Sequence, residues 1–156
     1  MKTPLPLIFS ALALASCQTG PFYGPAAAPP ALVGATVVVT AEKDPFGTYL
    51  VDRAGRSLYV LDGTRGTSGL VACGIDCTRV WPPMMVTAPV TGADPRMLGT
   101  VPRGGGAQLS YAGWPLFYYA RDMRPGDTAG QNVSDRWGTW YLLSPSGEPI
   151  RPAGGY

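Results

Sequence analysis

The chain has 156 residues, with 12 Lys and Arg against 10 Asp and Glu and no histidine. That near balance offers no basic face for nucleic acid, and the missing imidazole removes the commonest general base, the commonest metal ligand and the usual partner of a Ser or Cys nucleophile. With 21 Gly and 17 Pro and no sustained 3.6-residue periodicity, the chain reads as short strands joined by tight turns, long enough for one domain plus tails.

The N-terminus opens with Lys2 and an apolar run from Leu5 to Leu14, and closes on Leu14-Ala15-Ser16-Cys17. The run is about half of the roughly 20 residues that a spanning helix needs. Ala15 and Ser16 are the small residues a signal peptidase requires before its cut. The four-residue pattern resembles the lipobox of bacterial lipoproteins, which implies that residues 1–16 are removed and that Cys17 carries lipid. Acyl chains contribute about 0.8 kcal/mol per buried CH₂, and more than one chain anchors stably. The resemblance therefore implies an exported protein held to a membrane without crossing it. Gln18 in place of Asp after the cysteine favours the outer membrane, facing the periplasm or at the cell surface. The alternative is an ordinary secretory signal, which would leave Cys17 as an odd thiol in an oxidising compartment.

Residues 17–35 form the lipidated cysteine and a stretch rich in Pro, Ala and Gly, including Gly24-Pro25-Ala26-Ala27-Ala28-Pro29-Pro30. It reads as a disordered tether which, at about 3.1 Å per residue, spans roughly 50 Å. The folded domain is expected over residues 36–145. Val37-Val38-Val39-Thr40 is a β-branched first strand, and Lys43 to Gly47 is turn chemistry. Thr48 to Asp52 is a second strand, Arg53-Ala54-Gly55 a turn, and Arg56 to Leu61 a third strand. That last strand puts Leu58 and Val60 on one face and Tyr59 and Leu61 on the other. Gln108 to Tyr111 and Trp137 to Leu143 are later strands. Residues 146–156 read as a flexible tail.

The hairpin recurs. Ala54-Gly55-x-x-Leu58-Tyr59-x-Leu61 lines up with Ala112-Gly113-x-x-Leu116-Phe117-x-Tyr119, 58 residues further on. One hairpin has a single buried face and is marginal alone. The expected fold is therefore all-β: a small pseudo-symmetric domain of two duplicated hairpin units. Its expected core is Val37, Val39, Leu50, Leu58, Val60, Leu116, Tyr118 and Leu142.

These segments carry a wider likeness. Thr48 to Val60, then Cys73-Gly74-x-x-Cys77, Trp81-Pro82-Pro83, Gln108 to Tyr119, Pro125-Gly126-Asp127-Thr128-x-Gly130-Gln131 and Gly138-Thr139-Trp140 resemble the bacterial "secreted repeat of unknown function" lipoproteins. The likeness covers roughly residues 48–147. That family is named for a Tyr-x-aromatic-x-x-Asp motif, and it implies a fold and a location but no activity. The first copy here, Tyr59-Val60-Leu61-Asp62-Gly63-Thr64, lacks the motif's aromatic and its final Asp. The second, Phe117-Tyr118-Tyr119-Ala120-Arg121-Asp122, has Phe for the first Tyr. Trp114 stands where many members have His, so no chemistry built on that histidine applies.

Several residue sets could carry function. Cys73 and Cys77 suit a local disulfide in an exported protein, worth about 2 kcal/mol for so short a loop. The alternatives are a redox pair or a metal clip, although the spacing is not C-x-x-C and no His completes a metal site. Met84 and Met85, with Met97 and Met123, could offer thioethers to Cu(I) or simply fill gaps. Trp81, Trp114, Tyr119, Trp137 and Trp140 either fill a small core or form an outward strip for a cell-wall glycan or an envelope protein. Asp122 and Asp127 could act as an acid–base pair in a hydrolase. The alternative has Asp127 capping a turn and Asp122 pairing with Arg. The favoured expectation is a membrane-anchored envelope module that binds or supports. It has no catalytic residues, metal, cofactor or nucleic-acid partner, and its oligomeric state is not specified.

Overall fold

In the computed structural model the described residues are 35–67 and 72–153. The expectations for the signal segment, Cys17 and the tether lie outside them. The described chain is all-β apart from one helical turn. In order the elements are β1 (Thr36–Lys43), β2 (Gly47–Asp52), β3 (Tyr59–Leu61), α1 (Ile75–Thr78), β4 (Val90–Gly92), β5 (Leu98–Arg103), β6 (Gly106–Tyr111), β7 (Trp114–Pro115), β8 (Val133–Asp135) and β9 (Gly138–Leu142). Three three-stranded sheets result, ordered β2-β1-β4, β3-β9-β8 and β5-β6-β7.

The duplication is written into the hydrogen bonds. β1 and β2 form one hairpin, and β5 and β6 form its counterpart. Leu58 N–H donates to Leu50 O in the first copy, as Leu116 N–H donates to Leu109 O in the second. The equivalent residues Tyr59 and Phe117 then pair with each other, each N–H donating to the other's carbonyl at 2.8 and 2.9 Å. A residue bonded reciprocally to its own counterpart marks a local two-fold axis.

Around that axis the copies exchange strands. Residues 80–84 follow the first copy but bond to the second, through Met84 N–H to Leu116 O, Leu109 N–H to Met84 O and Ala120 N–H to Val80 O. Residues 139–143 follow the second copy and bond to the first. There Leu143 N–H donates to Leu58 O, Leu50 N–H to Leu143 O and Asp62 N–H to Thr139 O. Trp81 and Trp140 are therefore counterparts. Neither copy completes its sheet without a strand from the other.

Two apolar clusters lie on opposite faces of these pairings. Leu50, Leu58, Val60, Leu116 and Leu143 fill one with Val38, Met84, Leu109, Tyr111 and Trp114. Tyr59, Leu61, Phe117, Tyr119 and Leu142 fill the other with Trp81, Trp140 and the cysteine pair. The alternation expected for residues 58–61 holds, and both of its faces are buried.

Three expectations are corrected. In β1 it is Val38 that is buried, while Val39 is exposed and Val37 half-exposed. A run of three valines gives no phase of its own, and pairing of Val38 with Asp52 on one side and Gly92 on the other sets it. Tyr118 is only half-buried, because its hydroxyl reaches out to Asp52. The stretch 146–153 is no loose tail. Ile150 N–H donates to Leu142 O, Leu143 bridges Pro149, and Gly147 O accepts the Trp114 indole N–H.

Candidate functional site

Of the aromatic residues that could fill a core or form an outward strip, Trp81, Tyr119 and Trp140 meet in the core at the two-fold axis. Trp81 and Trp140 stack with ring centroids 4.0 Å apart and planes 8° from parallel, both with no exposed surface. Tyr59 lies edge-on to Trp81 at 5.6 Å, and Phe117 edge-on to Trp140 at 5.2 Å, as the duplication requires. Tyr119 stacks on Trp81 at 4.3 Å. Trp114 is buried in the other cluster, and Trp137 is half-buried under Arg136. An outward strip of Trp81, Trp114, Tyr119 and Trp140 is therefore overturned. The exchanged strands cover both faces of the central pairings, so no solvent face remains for those rings.

One carboxylate serves both central indoles. Asp135 Oδ2 accepts Trp81 Nε1–H at 2.8 Å, and Oδ1 accepts Trp140 Nε1–H at 3.3 Å and Trp137 N–H at 2.9 Å. The carboxylate offered as one half of an acid–base pair is also internal. Asp122 Oδ2 accepts the Tyr59 hydroxyl at 2.6 Å, and its Oδ1 accepts Ala129 N–H at 2.9 Å. Burial, then the hydrogen bond to Asp122 and its charge, push the Tyr59 hydroxyl far above the usual phenol range. Burial also raises the Asp122 carboxyl. Asp127 accepts Met123 and Arg124 N–H groups, which hold its carboxyl below the usual range. It is the turn cap, whereas Asp122 pairs with a Tyr and not with an Arg.

The Tyr59–Asp122 bond accounts for two differences between the copies. It links the Tyr of the first copy to the Asp of the second. The mate across the axis would join residue 117 to residue 64, and both are changed together, to Phe117 and Thr64. Thr64 keeps its turn by donating to Leu61 O. Losing one partner alone strands a buried polar group, whereas losing both leaves none.

Cys73 and Cys77 form a disulfide across the α1 turn. The carbonyl of Cys73 accepts the buried guanidinium of Arg103, which also donates to Gln108 Oε1 at 2.9 Å. The four methionines are not brought together. Met84 is in the core, Met85 beside it is partly exposed, Met97 packs near Ala112 and Gly147, and Met123 is exposed. Among the described residues no three Cys, Asp or Glu side chains form a metal-holding group.

The surface also carries a cavity of about 440 Å³. Pro45 and Phe46 from the β1–β2 turn and Ile150 and Pro152 from the returning C-terminal run make its apolar wall. Thr128, Gln131, Asn132 and Arg151 supply its polar edge. Gln131 holds the two sides together: Oε1 accepts Leu142 N–H at 2.7 Å and Nε2 donates to Ile150 O at 2.6 Å. Lys43 Nζ donates to Gly126 O and Thr128 Oγ1 at 2.9 and 3.0 Å, fixing the loop above. Asn132 is left-handed, at φ +57°, with its backbone N–H on Trp140 O. Such a conformation costs an L-residue energy and concentrates at working sites. Arg151 is ion-paired to Asp62 and stacked on Tyr141. The cavity is therefore close to neutral, with the Asn132 amide, and the O–H of Thr128 whose oxygen accepts Lys43, placed to meet a ligand. Thr128 and Gln131 lie in the segment that carried the family likeness. Phe46, Asn132 and Ile150 were not foreseen, because only the returning C-terminal run turns them into one wall.

Comparison with known families decides one point. Residues 99–144 match the model of the family described as a secreted repeat of unknown function. The match takes in the second copy's hairpin, both carboxylate-bearing loops and β9, and it bears out the recognition made from the sequence. A secreted repeat implies export, and no helix among the described residues is long and apolar enough to cross a membrane. Comparison with curated proteins and with solved structures gave no match.

Proposed function

We propose that this chain is a cell-envelope lipoprotein, anchored through Cys17, whose β domain binds a neutral envelope ligand in the Phe46–Ile150 cavity. The cavity carries the reading. At about 440 Å³ it has the size of a small-ligand site, and it combines apolar walls with a few converging polar groups. Its aromatic and proline faces suit the apolar side of a sugar ring, while Asn132, Thr128 and Arg151 offer amide, hydroxyl and guanidinium groups to hydroxyls. A cell-wall glycan is thus the ligand this chemistry fits best. The carboxylates point the same way: Asp122, Asp127 and Asp135 are bonded to internal donors, which suits support and binding.

Two measurements test this. In detergent partitioning the wild type should follow the membrane phase and Cys17→Ala the aqueous phase; equal partitioning of the two would end the anchoring claim. In co-sedimentation with purified cell-wall glycan, Phe46→Ala should weaken retention at least tenfold. Unchanged retention would move binding away from this cavity.

A further inference from the structure

A second cavity, of about 270 Å³, opens where the turn after β2 meets the start of β1. It is walled by Val37, Ala54, Met85 and Tyr118, with Asp52, Arg53 and Arg56 at its rim. We infer that this cavity is a receptor for the free C-terminal carboxylate of a short peptide with a small last residue, distinct from the glycan cavity.

The charge comes first. Asp52 is the one acidic residue lining the cavity, and it is fully engaged. Its Oδ1 accepts the N–H groups of Ala54 and Arg56, each at 2.9 Å. Its Oδ2 accepts Arg56 Nε at 2.8 Å, Arg56 Nη2 at 2.7 Å and the Tyr118 hydroxyl at 3.2 Å. Arg56 thus balances Asp52. The guanidinium lies 4.0 Å over the Tyr118 ring, which fixes its plane while leaving Nη1 unused. Arg53 lines the same cavity, is exposed and has no ion-pair partner among the described residues. The rim therefore carries one uncompensated positive charge beside a guanidinium already held in place. Guanidinium groups bind carboxylates by paired, charge-assisted hydrogen bonds, and a preformed donor loses less freedom on binding.

The backbone supplies the peptide element. Asp52 N–H and Leu50 N–H donate away from β1, to Arg56 O and Leu143 O, so Tyr49 and Val51 are the residues of β2 that face β1. Alternation then turns Val37, Val39 and Ala41 toward β2, while Thr36 N–H donates to Pro89 O on the other side. The register with β2 stops at Val38 and Asp52, so the N–H and C=O of Val37 face the cavity with no strand opposite. A terminal residue whose amide meets Val37 can place its carboxylate at Arg53 and Arg56. Capture of a terminal carboxylate by charge and backbone together is an established way of reading peptide ends. Met85 and Ala54 leave room beside it for a small apolar side chain and little more.

The test is calorimetric titration of the mature chain with acetyl-alanyl-alanine as the free acid and as its C-terminal amide. The acid should bind at least tenfold more tightly than the amide, and Arg53→Gln should remove about that tenfold advantage. Arg53 is exposed and has no ion-pair partner among the described residues, so the substitution leaves the fold intact. Phe46→Ala should leave binding of the acid unchanged, which separates this site from the glycan cavity. Equal affinity for acid and amide, no binding at millimolar peptide, an Arg53→Gln variant with wild-type affinity, or loss of acid binding on Phe46→Ala would each overturn the inference.

Discussion

Asp135→Ala removes a side chain that no apolar residue replaces. Its carboxylate is the acceptor for the indole N–H groups of Trp81 and Trp140, both fully buried at the two-fold axis. A buried donor left unpaired costs about 1–3 kcal/mol. Asp135 itself is half-buried, so water can enter its place and partly satisfy one indole. The expected loss is therefore about 2–4 kcal/mol, a large share of the 5–15 kcal/mol typical of a domain. At about 4 °C per kcal/mol for a domain of this size, Tm falls by roughly 8–16 °C. Asp135→Asn keeps one oxygen but turns an NH₂ toward the second indole, so it should lose about half as much. Urea unfolding followed by tryptophan fluorescence reads both, with an unchanged m-value showing that stability alone moved. Asp94→Ala is the control, since among the described residues its carboxylate meets only the backbone N–H and the exposed guanidinium of Arg96, and exposed pairs contribute about 0–1 kcal/mol. A loss below 1 kcal/mol in Asp135→Ala would refute the carboxylate's role at the axis.

The remaining predictions concern Tyr59. In a double-mutant cycle, Tyr59→Phe and Asp122→Thr recreate on one side of the axis the Phe117 and Thr64 found on the other. The double variant should be less destabilised than the sum of the singles by about 1 kcal/mol or more, and strictly additive urea-unfolding losses would refute the exchange of partners. Alkaline stability follows from the raised phenol. Folded Tyr59 keeps its proton beyond the usual phenol value of 10.0, whereas the unfolded chain releases it. Stability is then complete below about pH 10 and falls above it by about 1.4 kcal/mol per pH unit. Tyr59→Phe should remove that contribution to the slope, and parallel pH profiles for wild type and variant would count against it.

How much of this was legible in the sequence follows from what each feature depends on. The alternation of residues 58–61 and the turns at Gly55 and Gly113 are local, so a period of two and a turn signal sufficed. The repeat of those residues at 116–119 also gave two copies. What the repeat could not give was the exchange of the fourth strands, because residues 80–84 and 139–143 share no motif beyond Trp81 and Trp140. Without that exchange, strands rich in aromatics have a spare face, and their rings are open to a ligand. With it, the face is gone. The partner of Asp122 was hidden for a related reason. Asp122 is read by its neighbours as a loop carboxylate, yet its partner Tyr59 lies 63 residues away in the other copy.

The same geometry explains where binding can occur on this fold. A duplicated module buries whatever lies on its axis, so the equivalent, repeated residues become core. Ligand chemistry must then come from places where the copies differ. Both cavities obey this. The Asp52–Arg56–Tyr118 rim has Tyr111, Trp114 and Val60 at the corresponding positions of the other copy, and those residues are buried in an apolar cluster. The Phe46 cavity depends on the three-residue turn Asp44-Pro45-Phe46, where the second hairpin turns on Gly104 and Gly105 alone. It also depends on the C-terminal run, which has no pairing partner in the first copy. Repetition builds the frame, and the departures from repetition make these two openings.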